Sequence, residues 1–85
     1  MSWQIQWSKR AIKNMQKLDE PLKSRIWDSI NNMPKHPESA DIVKLKSKSG
    51  EYRLRVGDWR VKFRVDFIHK VYLITHVKHR KDIYK

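Results

Sequence analysis

Eighty-five residues, a net charge of +11 and no cysteine describe one unit near the lower size limit of a stable core, which excludes a second domain and leaves residues 1–85 as a single one. Disulfide staples and thiolate metal sites are excluded as well, and a reducing compartment, the cytoplasm, is the expected setting. No run approaches the length of a signal or membrane-spanning segment, while four Trp, three Tyr and two Phe supply enough apolar bulk to argue against disorder.

The chain opens with Trp3, Ile5 and Trp7 alternating with Gln4 and Gln6, the period of a half-buried strand. Ser8 then stands where a helix N-cap belongs, with Trp7 and Ile12 at the two positions of a hydrophobic staple. In the helix that follows, Ala11, Ile12, Met15 and Leu18 are expected to face inward, and Lys9, Arg10, Lys13 and Lys17 to face water. Asp19-Glu20-Pro21 reads as a short turn into a second helix, because proline is tolerated in a first turn. Its stripe is Leu22, Ile26, Ile30 and Met33, and Pro34 ends it. So short a connection predicts an antiparallel helical hairpin. Residues 34–41, PKHPESAD, have the composition of a loop.

Strands dominate after that. Ile42, Val43 and Leu45 predict a short one, and Ser47, Ser49 and Gly50 a flexible break. Tyr52, Leu54 and Val56 alternate with Arg53 and Arg55; Trp59, Val61, Phe63 and Val65 alternate with Arg60, Lys62 and Arg64. Gly57-Asp58 between the two runs is a two-residue hairpin signal, since glycine supplies the positive φ that such turns require. The register follows: Val56 faces Trp59, Leu54 faces Val61 and Tyr52 faces Phe63. The last strand runs from Val71 to about Val77, before a polar tail, HRKDIYK. The four tryptophans, Trp3, Trp7, Trp27 and Trp59, are expected in the core.

The same register opposes Arg55 to Arg60 and Arg53 to Lys62, leaving Glu51 and Arg64 as the one complementary pair. Like charges directly opposed in a sheet destabilise it by a few tenths to ~1 kcal/mol per pair. Such a face makes sense when an anion completes it, because guanidinium groups fork onto phosphate oxygens and no neutralising carboxylate is expected among them. Charge distribution agrees. Residues 1–43 carry seven Lys/Arg against five Asp/Glu, whereas residues 44–85 carry thirteen against four, an excess that suits nucleic acid.

GEYRLRVGDWRVKFRV followed by HVKHRKDIYK resembles the RelE/ParE toxin superfamily, most strongly over residues 43–84. The resemblance implies an α+β fold of order β-α-α-β-β-β, a helical hairpin packed on a four-stranded, largely antiparallel sheet. It also implies a type II toxin of RelE type: an endoribonuclease that enters the A site of a 70S-type ribosome, cuts mRNA and thereby stops translation, and is held inactive by a RelB-like antitoxin. Carried over residue by residue, the family's site becomes Arg53 and Arg55, Arg60, Arg80 and Tyr84, with His79 as an addition. Attack of a 2′-hydroxyl on the adjacent phosphate needs a base, cations for the developing charge and an acid for the leaving oxygen, but neither metal nor cofactor. Members of the family often carry lysines where this chain has Arg53 and Arg55. Arginine stays protonated, so the proton-accepting role falls to His79 or catalysis is mostly electrostatic.

Lys9, Arg10, Lys13 and Lys17, with Lys62 and Arg64, are the expected contacts to RNA or ribosome, against the plainer reading of a solvated basic face. His36 and His69 fall in a loop and a turn, and His76 could face either side; no metal-ligand spacing joins them to carboxylates. Two other functions stay open on sequence alone: a ParE-like toxin directed at DNA gyrase, and a non-catalytic RNA-binding or ribosome-binding module.

Overall fold

In a computed structural model, which describes residues 3–36, 40–44 and 50–83, the chain forms β1 (Gln4–Trp7), α1 (Lys9–Gln16), α2 (Glu20–Asn32), β2 (Ile42–Lys44), β3 (Glu51–Val56), β4 (Trp59–Asp66) and β5 (Val71–His79). The five strands make one sheet in the order β1-β5-β4-β3-β2. Among the described residues only the β1–β5 pairing is parallel. The α+β class is as expected, but the sheet has five strands rather than four, because the three residues of β2 pair with β3 at its outer edge. Leu45, Ser47 and Ser49, and residues 37–39 of the expected loop, lie outside the described residues.

The β3–β4 hairpin has the register read from the sequence, from Glu51 opposite Arg64 through to Val56 opposite Trp59. Gly57 takes φ 59° and Asp58 stays at negative φ, which is the type II′ pattern with glycine first. Leu54, Val56, Val61 and Phe63 join Ile74 and Val77 of β5, Ala11 and Met15 of α1, and Ile26, Ile30 and Met33 from α2 and its C-cap in one core. Phe63 lies against two other rings, stacked with Tyr52 at 5.7 Å and edge-on to Tyr72 at 5.7 Å. Burial pushes the Tyr72 hydroxyl pKa up.

Ser8 caps α1 as expected, accepting the Ala11 amide at 3.1 Å, and its hydroxyl also donates to the Thr75 carbonyl at 3.1 Å. Beyond the short β1, α1 therefore covers the rest of the β5 edge. The buried side chain of Asn14 completes that cover, its Oδ1 accepting the Val77 amide at 2.9 Å. An uncovered strand edge is a template for association; here the N-cap Ser8 and Asn14 of α1 occupy it.

Two expected core residues face outward. Ile12 is 45% exposed and Trp27 50% exposed. Trp27 directly follows Ile26 and so sits about 100° round the helix from the buried stripe; it stacks on Trp7 with ring centroids 5.4 Å apart. Trp7, Ile12 and Trp27 open onto one apolar cleft between the helices. Trp3, Trp7 and Trp59 are half-buried. Among the described residues no helix is long and apolar enough to cross a membrane.

Candidate nucleic-acid interface

The face of β3, β4 and β5 turned away from the helices carries the charge. Pairing across the strands sets residues in rows: Arg55, Arg60 and Lys78 in one, Arg53, Lys62 and His76 in the next, Glu51, Arg64 and Leu73 in the third. Adjacent strands lie about 4.8 Å apart, so each row brings its side chains within ~10 Å.

A bulge decides the membership of β5. Lys62 pairs with His76 but Phe63 with Ile74, so Thr75 is an extra residue. In a regular strand Ile74 and Val77 would point to opposite faces; with the bulge both are buried and His76 turns outward to the cations. Thr75 spends its hydroxyl on the Lys62 carbonyl at 3.1 Å. Its oxygen lies 3.0 Å from His76 Nδ1, and Arg10 Nη1, reaching over from α1, lies 3.0 Å from His76 Nε2. A guanidinium can only donate, so Nε2 is the acceptor and the ring hydrogen sits on Nδ1, donated to Thr75 Oγ1. Arg10, Lys62, His76 and Lys78 line a cavity of about 440 Å³, closed on one side by Asp82 and Ile83 of the tail. Burial, and then the charges of Lys62, Arg10 and Lys78, hold the His76 pKa below the ordinary 6.5, with Glu51 opposing weakly.

The other site residues expected from the sequence are spread more widely. Arg53 and Lys62 stand opposite each other beside this cavity. Arg55 forms an ion pair with Asp41, which immediately precedes β2, so a carboxylate does stand among the cations, brought there by the β2 edge. Arg60 folds back, its Nη1 donating to the carbonyls of Gly57 at 2.8 Å and Trp59 at 2.9 Å. Arg80 follows the end of β5, with its amide on the Asp58 carbonyl at 2.8 Å and its Nε 3.8 Å from Asp58 Oδ1. His79 pairs with Trp59 in the sheet and meets its ring edge-on at 5.5 Å, while Nδ1 accepts the Lys81 amide at 3.2 Å. That sets it on the side of Trp59 and the core, away from the row of Arg53 and Lys62. Arg64 lies farther along the face, beside Gln4, Gln6 and Leu73. Lys9, Lys13 and Lys17 are exposed, and Tyr84 lies outside the described residues. Sequence reasoning missed Lys78 and kept Arg10 apart from the sheet. The spacing of Ile74 and Val77, two apolar residues three apart in a strand, was the signal that a bulge turns His76 outward.

Residues 5–84 match the family model described as ParE toxin of type II toxin-antitoxin system, parDE. The chain belongs to the RelE/ParE superfamily of type II toxins. A Methanocaldococcus jannaschii protein that bears the name of a candidate toxin, RelE1, is 26% identical over 88 residues, spanning 100% of this chain and 98% of that one. The RelB-RelE antitoxin-toxin complex of Methanococcus jannaschii contains a chain that is 26% identical with TM-score 0.78, the match covering 93% of this chain and 94% of that one. The RelE-RelB complex of Pyrococcus horikoshii gives 28% identity and TM-score 0.80 over 96% and 99% of the two chains. For this RelE/ParE toxin the rows of cations thus lie on a fold shared with those relatives.

Proposed function

We propose that this RelE/ParE toxin is a ribosome-dependent endoribonuclease that cuts mRNA by 2′-hydroxyl attack on the adjacent phosphate. The observation that carries the reading is the cavity among Arg10, Lys62, His76 and Lys78, three cations from three elements around a neutral imidazole. A phosphate in that cavity would meet donors on several sides, and the charge that grows on its oxygens during attack would be stabilised without rearrangement. Arg53, beside Lys62, extends the site along the RNA backbone. Arg55 and Arg60, one row over, follow it toward Arg80 at the hairpin end, and Tyr84 would stack on a base or relay a proton. The exposed Lys9 and Lys13 of α1, with Lys17 at its C-cap, would meet ribosomal RNA phosphates. Cytoplasm is the compartment in which those substrates occur.

A RelB-like antitoxin is the proposed partner. Both archaeal relatives were solved as complexes with RelB, and a surface of +11 favours a partner that covers it with acidic or amphipathic segments. The test is a reconstituted translation reaction with a defined mRNA. Cuts within the codon being read, carrying new 5′-hydroxyl ends and appearing only with ribosomes, support the reading; intact mRNA in both conditions refutes it. The ParE description of the matching family model favours one second reading, inhibition of DNA gyrase, and a supercoiling assay that reports gyrase poisoning would select it.

A further inference from the structure

The proposed ribonuclease needs a group that can take a proton, and the arginines offered by the family pattern cannot. His76 is built for the task. Its outward orientation depends on an inserted residue, Thr75, and bulges recur where a strand must re-aim one side chain. Its tautomer is set, with Nδ1–H on Thr75 Oγ1 and that hydroxyl in turn anchored on the Lys62 carbonyl. The lone pair therefore belongs to Nε2, where Arg10 Nη1 now donates at 3.0 Å. Arg10 reaches this point from α1, across 66 positions of sequence, and its head lines the same cavity.

We infer that His76 is the general base of this toxin, receiving the 2′-hydroxyl proton at Nε2 once an RNA phosphate has drawn Arg10 from the ring onto its own oxygens; the inference rests on the ribonuclease reading. In the step, the 2′-O–H bond breaks and its proton passes to Nε2. The freed oxygen pair forms the new bond to phosphorus. The bond from phosphorus to the 5′ oxygen breaks, and that oxygen takes a proton from an ammonium of the pair Lys62 and Lys78. The products are a 2′,3′-cyclic phosphate and a 5′-hydroxyl, and no oxidant or second substrate is consumed. Arg10 has two positions in this scheme: on the imidazole in the empty site, where it prevents protonation, and on the phosphate in the loaded one. Lys62, Lys78 and Arg10 keep the ring neutral from β4, β5 and α1, while Glu51 of β3 and Asp82 of the tail are the acidic groups on the same side.

The experiment is single-turnover cleavage of mRNA on programmed ribosomes at saturating toxin, as a function of pH, for the wild type, H76Q and R10A. The expected wild-type profile has an acid limb set by the deprotonation of His76. H76Q, which keeps a polar side chain but cannot accept a proton, is expected to lose about 10²–10⁴-fold in rate and with it the acid limb. R10A removes one of the charges that depress the imidazole, so its acid limb moves to higher pH, a change that a merely structural role for the pair does not produce. An H76Q chain that cleaves at the wild-type rate with the wild-type limb overturns the inference and leaves the ribonuclease reading standing. Should H76Q not fold, R10A decides: an unmoved limb overturns it. A wild-type chain that cuts no RNA on ribosomes overturns both, and is recognised because no substitution is involved.

Discussion

On the helix side of the sheet, Leu54, Val56, Val61, Phe63, Ile74 and Val77 are almost sealed from water, whereas on the other side the same three strands align Arg55 with Arg60 and Lys78, and Arg53 with Lys62 and His76. The first face follows the rules of stability: apolar area is removed from water and polar groups find partners. The second breaks them, placing like charges in opposition. Residues that a fold does not need, kept where they cost stability, point to a ligand that completes them. The difference teaches that charge on this protein is to be judged by its neighbours across the strand rather than by its sum.

Substitutions on the two faces should therefore act in opposite directions on stability. The largest effect is expected on the helix side, where Phe63→Ala removes a fully buried ring and should cost about 3–5 kcal/mol, measured as a lowered urea midpoint. Next is Asn14→Ala, which leaves the buried Val77 amide without its acceptor and should cost about 1–3 kcal/mol; a loss of protection of the Val77 amide in hydrogen exchange would locate the effect. On the outer side the sign reverses. Lys62→Glu converts the opposition to Arg53 into a complementary pair and should raise stability by a few tenths to ~1 kcal/mol, while RNA cleavage falls; a destabilised Lys62→Glu chain would show that the face is not strained by its charge. The smallest effect is a pH dependence. The folded chain holds His76 below its ordinary 6.5, so the unfolded chain binds more protons in that interval. Stability is then full above about pH 6.5 and declines as pH falls toward the depressed value, a decline that His76→Gln should remove from a series of urea midpoints.

How much of this was written in the sequence differs between the faces as well. The hairpin of β3 and β4 was legible because Gly57-Asp58 leaves one register, and with it came both the core row and the opposed cations. The capped start of α1 was legible for a similar local reason, a Ser8 hydroxyl three residues before a free amide. The position of His76 was not, because period-2 alternation assumes one residue per pleat and Thr75 is extra. Nor was the role of Asn14, a polar residue on an inward stripe whose reason is an amide 63 positions away. Arg10 looked like a member of a solvated basic helix until α1 was seen to lie along the β5 edge. Local signals specify what neighbours decide; the cavity is made of contacts between the two ends of the chain.

That last property has a consequence in time. Ser8 and Thr75 bond across 67 positions, Arg10 and His76 across 66, and β1 has no partner in the sheet until β5 exists. Contacts of such long separation are slow to close, and a chain emerging residue by residue cannot form them before β5 has been made. A ribosome synthesising this toxin thus carries a nascent chain whose basic cavity is still in two pieces, and the cavity can assemble only once β5 has been made.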